Sequence, residues 1–252
     1  MSDRITNVIL RIAILSAMKF LSLFTLAAIL ALPMASMAAP SSEAITFAVD
    51  QKRTFLPLEE AANHLAWTPT IDDKRGKIIL NGTTISTKLL RTFTDGTNLI
   101  SLVDLAKAGA EVTVEEDGSV TKVAIKDRYF NVVKREKRAE INLAQQKLRA
   151  WEGQRLVLET RVSSGKRGRT PSGDYSAGPY KARKHYSSRY NNAYMPYSVQ
   201  VTGHIFIHGY KSVPKFPASH GCVRVPYLTD GNPARFFYEW INKGTPIKIV
   251  RK

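Results

Sequence analysis

Ile205-Phe206-Ile207-His208-Gly209, followed by Pro217-Ala218-Ser219-His220-Gly221-Cys222-Val223-Arg224, carries the only cysteine of the 252-residue chain and two of its five histidines. The apolar start of the first run reads as a strand that ends on His208 and aims it from a rigid element. A cysteine attacks a carbonyl only as a thiolate, so it needs a base or a positive charge beside it. His208, His220 and Arg224 are the groups that can supply them. From the residue types alone two readings stand. One is a nucleophilic thiol with a histidine base. The other is a zinc site of His208, His220 and Cys222 with water as fourth ligand, although their spacing matches no structural zinc pattern.

Upstream of these runs the sequence is β-like. Ala139–Leu143, Lys147–Trp151 and Arg155–Ser163 are short alternating runs separated by polar turns, which predicts a meander of antiparallel strands. Gly165–Gly173 is a basic loop with three glycines and a proline; its spacing is not that of a phosphate-binding loop. Tyr180–Tyr197 (YKARKHYSSRYNNAYMPY) interleaves aromatic and basic residues. Such a stretch suits either a groove lining that meets sugars or an ordinary polar loop, with His185 on the solvent side. Ser198–Val201 and His204–Ile207 read as strands. Downstream, Phe236, Phe237, Trp240 and Ile241 suit the buried face of a helix over Pro233–Asn242, and Pro246–Val250 reads as a last strand.

The first half differs. Phe55-Leu56-Pro57-Leu58-Glu59-Glu60-Ala61-Ala62 opens a short helix, and Thr70–Leu80 follows as a hairpin. Leu99–Ala106 opens a similar helix, followed by Val112–Val114, the turn Glu116-Asp117-Gly118 and the strand Val120–Ile125. The repeated order predicts a small duplicated α/β module over residues 45–133. It shows no catalytic constellation. Lys134–Arg138 reads as a solvated charged boundary.

Before it, Leu21–Ala35 is almost uninterrupted apolar sequence, preceded by Lys19 and followed by Ser36-Met37-Ala38. That is the layout of a secretory signal peptide over residues 1–38, with cleavage after Ala38. Met18 could equally start a complete signal peptide, and an uncleaved segment would act as a membrane anchor. Export places the chain in the periplasm or at the cell wall. A lone cysteine there has no internal disulfide partner, which favours a job for the thiol. Residues 1–39 carry +2 and residues 40–130 carry −2, whereas residues 131–252 hold 23 Lys/Arg against seven acids, +16. With an export signal, nucleic acid is not the expected partner; an anionic wall polymer or a carboxylate-rich substrate is.

Three segments in order, VSSGKRGRTPSGDY (162–175), MPYSVQVTGHIFIHG (195–209) and PASHGCVRV (217–225), give residues 139–250 a close resemblance to the L,D-transpeptidases of the YkuD type. The resemblance implies an α+β protein: a β-rich L,D-transpeptidase catalytic domain over 139–252, preceded by the small α/β repeat domain as an accessory wall-binding or stalk module. The cadence of residues 55–80 also resembles the copper amine oxidase N-terminal-like repeat. No copper follows from it, since the region has one histidine, His64, and no cysteine.

By the same resemblance Cys222 is the nucleophile, His208 its base, and the Gly209 carbonyl sets the imidazole tautomer. Backbone N–H groups of His220, Gly221 and Cys222 would form an oxyanion hole. His220 and Ser219 would hold the loop. Arg224, Ser219, Tyr197 and Tyr210 would contact substrate. The implied reaction is acyl transfer on peptidoglycan stem peptides: the thiolate attacks the third stem residue, D-Ala leaves, and an amine accepts the acyl group in a 3–3 cross-link. Neither metal nor cofactor is required. Water as acceptor would make a carboxypeptidase or murein hydrolase, a protein lysine would make a wall-anchoring enzyme, and a degenerate site would leave a non-catalytic wall-binding protein. Only ten residues, 209–218, separate His208 from Ser219, fewer than the family usually shows, so the loop over the site is expected to be short.

Overall fold

The structure, a computed structural model, describes residues 39–251 apart from Asp73 and residues 117–119. The signal segment and most of the Glu116–Gly118 turn therefore lie outside the described residues. Among the described residues no helix is long and apolar enough to cross a membrane. Among the described residues strands dominate, with three short α-helices.

The first region runs β1 (Ser41–Glu43), β2 (Ile45–Phe47) and β3 (Asp50–Pro57) directly into α1 (Leu58–Leu65), then β4 (Thr70–Asp72), β5 (Lys77–Leu80) and β6 (Thr83–Ser86). After β7 (Arg91–Thr92) the same order recurs: β8 (Asn98–Ser101), α2 (Leu102–Lys107), β9 (Glu111–Val114), β10 (Val120–Ile125) and β11 (Arg128–Val133). These strands form sheets in the orders β2-β3-β8-β7, β4-β5-β6 and β1-β11-β10-β9. In α1 the apolar positions Leu58, Ala61, Ala62 and Leu65 fall on one stripe and are buried, and Ala66 in the left-handed conformation (φ 53°) stops the helix. The N-terminus of α2 is capped by Ser101, whose hydroxyl accepts the Asp104 N–H at 3.2 Å and donates to the Asp104 carboxylate at 2.6 Å.

The second region opens with the expected meander, β12 (Lys137–Asn142), β13 (Lys147–Glu152) and β14 (Arg155–Arg161). Then come β15 (Gly173–Ser176), β16 (Lys181–Ala182), β17 (Tyr186–Ser187), β18 (Ala193–Tyr194), β19 (Ser198–Thr202), β20 (Ile205–Tyr210), β21 (Val223–Pro226), α3 (Pro233–Trp240) and β22 (Pro246–Val250). One sheet has the order β14-β13-β12-β22-β15 and a second the order β16-β19-β20-β21; β17 and β18 form a separate hairpin. Helix α3 starts at Asn232, whose side-chain carbonyl accepts the Arg235 N–H at 3.0 Å, and Pro233 occupies the first turn. Its Phe236, Phe237 and Trp240 are buried.

The two regions share a core. Ala39–Lys252 is one compact unit. Ile45, Phe47, Phe55, Phe93 and Leu99 belong to the same apolar cluster as Ile141, Val199, Ile207, Val223, Phe236 and Trp240. A second cluster, built on α1, α2, β5 and β10–β11, lies within the first region. The boundary run Lys134–Arg138 is not wholly solvated as its charge suggested. Lys137 is 9% exposed, and its ammonium donates to the carbonyls of Thr46 (3.0 Å) and Trp240 (2.8 Å) and to Asn242 Oδ1 (2.8 Å). Opposite it on β13, the buried Glu152 accepts from Thr46 N (3.1 Å), Thr46 Oγ1 (2.6 Å) and Trp240 Nε1 (3.0 Å). Each charge is satisfied by its own hydrogen bonds and each favours the other's charged form across the strand pair, which lets both be buried.

Candidate active site

β20 and β21 lie side by side in parallel, with Ile207 opposite Val223 and His208 opposite Arg224. Side chains alternate between the faces of a strand. Ile207, Val223 and Val225 point into the shared core and are at most 1% exposed. Phe206, His208 and Tyr210 of β20, with Arg224 of β21 and Cys222 immediately before that strand, therefore fall on the opposite face. His208 lies inside β20 rather than at its end. The parallel strand β21 extends the rigid support beneath it.

The turn that presents Cys222 is braced from several sides. Ser219 Oγ accepts the Gly221 N–H at 3.0 Å and donates to the Cys222 carbonyl at 2.5 Å. The Gly221 carbonyl accepts from Thr170 Oγ1 at 2.6 Å, and that hydroxyl oxygen accepts the Gly165 N–H at 2.7 Å. Lys166 N–H donates to the Ser219 carbonyl at 3.0 Å. The basic loop Gly165–Gly173 thus locks the cysteine turn from behind. Gly221 has φ +147°, and a Cβ there would meet Ile205 Cδ1 at 2.8 Å, so no other residue fits without displacement. Because Gly221 N–H is committed to Ser219, it drops out of the three amides expected to form an oxyanion hole, leaving those of His220 and Cys222.

His208 is 4% exposed, and its Nδ1 lies 2.9 Å from the Gly209 carbonyl. A carbonyl only accepts, so Nδ1 carries the proton and Nε2 presents its lone pair. Burial pushes the imidazole down to about 4; the Gly209 carbonyl opposes this, and the charges of Arg224 and His185 add to it. Burial likewise pushes the Cys222 thiol up, against the Phe206 backbone and Arg224, which favour the thiolate. At rest Cys222 Sγ donates to the His204 carbonyl at 3.5 Å and packs with Met195 and Phe206. Burial thus favours the neutral thiol and the neutral imidazole.

The other candidates divide. Arg224 lies over the Tyr210 ring, 3.9 Å from its centroid, and Tyr210 meets His208 edge-on at 6.0 Å, so both stand on the site face. Ser219 is 2% exposed with its hydroxyl engaged in the turn; it braces the loop and does not face substrate. His220 is exposed and stacks on Tyr190 at 5.1 Å instead of holding the loop by a side-chain hydrogen bond. Tyr197, with φ 56°, packs on the shared core and tilts against Tyr238 at 6.0 Å. Among the described residues no three His, Cys, Asp or Glu side chains converge as metal ligands. Two residues at the site escaped the sequence reading. Thr170 is one, and the T-P of its loop was the available signal. His185, expected on the solvent side, is half-buried: its ring stacks on Phe206 at 5.1 Å and its Nδ1 meets Tyr180 Oη at 3.1 Å.

Fold and site together define a β-rich domain with a cysteine–histidine site on one face of a parallel strand pair. Residues 136–249 match the family model described as YkuD, the L,D-transpeptidase catalytic domain. Among solved structures, the chain resembles an L,D-transpeptidase from Stackebrandtia nassauensis (23% identity, TM-score 0.41, covering 46% of this chain and 56% of that one). It also resembles residues 123–326 of an L,D-transpeptidase from Xylanimonas cellulosilytica (29% identity, TM-score 0.41, 46% and 61%). A third, an L,D-transpeptidase from Mycobacterium smegmatis, aligns over 85% of this chain and 96% of its own at 15% identity and TM-score 0.41. The chain thus spans about three fifths of the first two structures. A search of curated proteins found no match.

Proposed function

We propose that the chain is an exported peptidoglycan L,D-transpeptidase that uses Cys222 as nucleophile and acts in the periplasm or at the cell wall. The observation that carries this reading is Cys222 and His208 on one face of paired strands inside the matched domain. In the first half-reaction His208 Nε2 takes the Sγ proton as sulfur attacks the carbonyl of the third stem residue. The oxygen's negative charge falls to the His220 and Cys222 amides, a donor set worth about 3–4 kcal/mol per lost donor. The C–N bond to D-Ala then breaks, and the imidazolium returns its proton to the departing amine. In the second half-reaction an amine of another stem gives its proton to His208, attacks the thioester and displaces sulfur, which leaves as thiolate and recovers the proton. The product is a 3–3 cross-link. Arg224, spread over Tyr210, is placed to hold a substrate carboxylate. Residues 45–133 serve as the wall-facing accessory or stalk portion.

Burial disfavours both the thiolate and the imidazolium, so proton transfer from Sγ to His208 is expected to accompany attack. Intact mass after incubation with a carbapenem should show one covalent adduct that Cys222→Ala abolishes. A parent protein without adduct would refute the nucleophile. Muropeptide analysis with tetrapeptide stems then identifies the acceptor: dimers mean transfer to an amine, and tripeptide monomers mean transfer to water.

A further inference from the structure

The hairpin β17–β18 is flanked by residues that pack beside the thiol, and it has two unlike faces. Two inward residues pack on the cysteine's surroundings: His185 stacks on Phe206, and Met195 shares a buried cluster with Phe206 and Cys222. Their neighbours in sequence, Tyr186 and Tyr194, are register partners across the hairpin and face outward, 54% and 39% exposed. Their rings sit 5.1 Å apart with an interplanar angle of 36°. The alternation of side chains along a strand produces both faces at once. A depression beside the pair is lined by Arg183, Lys184, Tyr194 and Tyr197.

We propose that Tyr186 and Tyr194, with Arg183 and Lys184, form a platform for the glycan strand that carries the stem peptide. This rests on the transpeptidase reading above and deepens it by naming a second recognition site. The geometry of the substrate supports that occupant. The third stem residue must reach Cys222, and an extended chain covers roughly 3.4 Å per residue, so the sugar at the start of the stem lies on the order of 10 Å from the thiol. Tyr194 on the outer face directly precedes Met195, which shares a buried cluster with Cys222. Exposed tyrosine faces suit the C–H faces of pyranose rings, since the aromatic π-face is negative and sugar C–H bonds are weakly positive. The two cations beside them suit the free carboxylates of neighbouring stems. A hairpin that needed only to shield the thiol would have no use for an outward aromatic pair.

The test compares turnover of a disaccharide-tetrapeptide with turnover of the free tetrapeptide, on the full chain. Tyr186→Ala with Tyr194→Ala should lower the ratio of the two rates roughly tenfold, the loss expected of one good aromatic contact; an unchanged ratio overturns the platform. Arg183→Ala with Lys184→Ala, exposed and unable to unfold the hairpin, should lower the same ratio by a smaller factor. Independently, titrating the parent protein with an N-acetylglucosamine tetrasaccharide should shift the ring resonances of Tyr186 and Tyr194. No shift at millimolar sugar overturns the proposal, whereas a shift in a protein that forms no carbapenem adduct would keep the platform and overturn the transpeptidase reading.

Discussion

The two regions of the fold bury polar groups very differently. Among the described residues the first region buries four polar or charged side chains, Ser42, Ser101, Asp104 and Thr121; the second buries twelve. In the first region two of the four, Ser101 and Asp104, form a helix cap, an inexpensive local use. In the second, Ser163, Ser164, Gln146, Thr170 and Ser219 form a web around the cysteine turn, and His208 lies inside the sheet. A buried polar atom costs stability unless it is bonded, so a web of this kind marks where shape had to be held at some cost. The first region contributes something else: apolar mass. Ile45, Phe47 and Phe55 complete the core on which the catalytic sheet rests.

That contrast is most exposed at the seam. Lys137 is lowered to about 8 by burial, partly offset by Glu152, and Glu152 is raised by burial against the pull of Lys137. Lys137→Ala leaves a buried carboxylate without its counter-charge, which is expected to cost about 3–5 kcal/mol. Chemical denaturation followed by loss of carbapenem acylation checks it; a loss below 1 kcal/mol would mean that the seam is loose and the regions separable. Lys137→Met with Glu152→Leu should recover most of the stability, since both charges then disappear together. Within the site, Thr170→Val keeps the volume but deletes the bonds to Gly165 N–H and the Gly221 carbonyl. It should cost about 1–3 kcal/mol and slow acylation more than it lowers the melting temperature predicts. If acylation rate and stability fall in proportion, Thr170 only supports the fold.

How these parts were readable follows from the range of the forces behind them. The meander, α3 and β22 depend on alternation and apolar stripes within a few residues, and the sequence displays both. Lys137 sat in the run Lys134–Arg138, whose charges look solvated; its burial depends on Thr46 and Trp240, roughly a hundred positions away on either side. His185 was misplaced for the same reason: the ring it stacks on, Phe206, belongs to another strand. β21 was hidden because Val223–Pro226 is four residues long and ends in proline, too short for periodicity to speak. Cys222 and His208 stand out in the sequence because reactivity restricts residue type, while the Thr170 hydroxyl braces backbone atoms of Gly165 and Gly221, the latter 51 positions away, that carry no sequence signature of their own.

The smallest effect, taken per pH unit, concerns pH and separates the two kinds of buried polar group. His208 holds its proton only below about 4, against about 6.5 in an unfolded chain. Between those values the unfolded state binds more protons than the folded one, so stability should rise with pH across that window and level off above it. The slope is on the order of 1 kcal/mol per pH unit at most. His208→Gln, which is uncharged throughout, should flatten the curve over this window, and denaturation midpoints at pH 4.5, 5.5 and 6.5 for both proteins measure the difference. Acylation should follow the same group: steady from pH 6 to 8, where the imidazole is already neutral, and falling as pH drops toward 4. A bell-shaped profile with an acid limb near 6.5 would instead mean that His208 is solvated in the working enzyme and that a thiolate–imidazolium pair forms before substrate arrives.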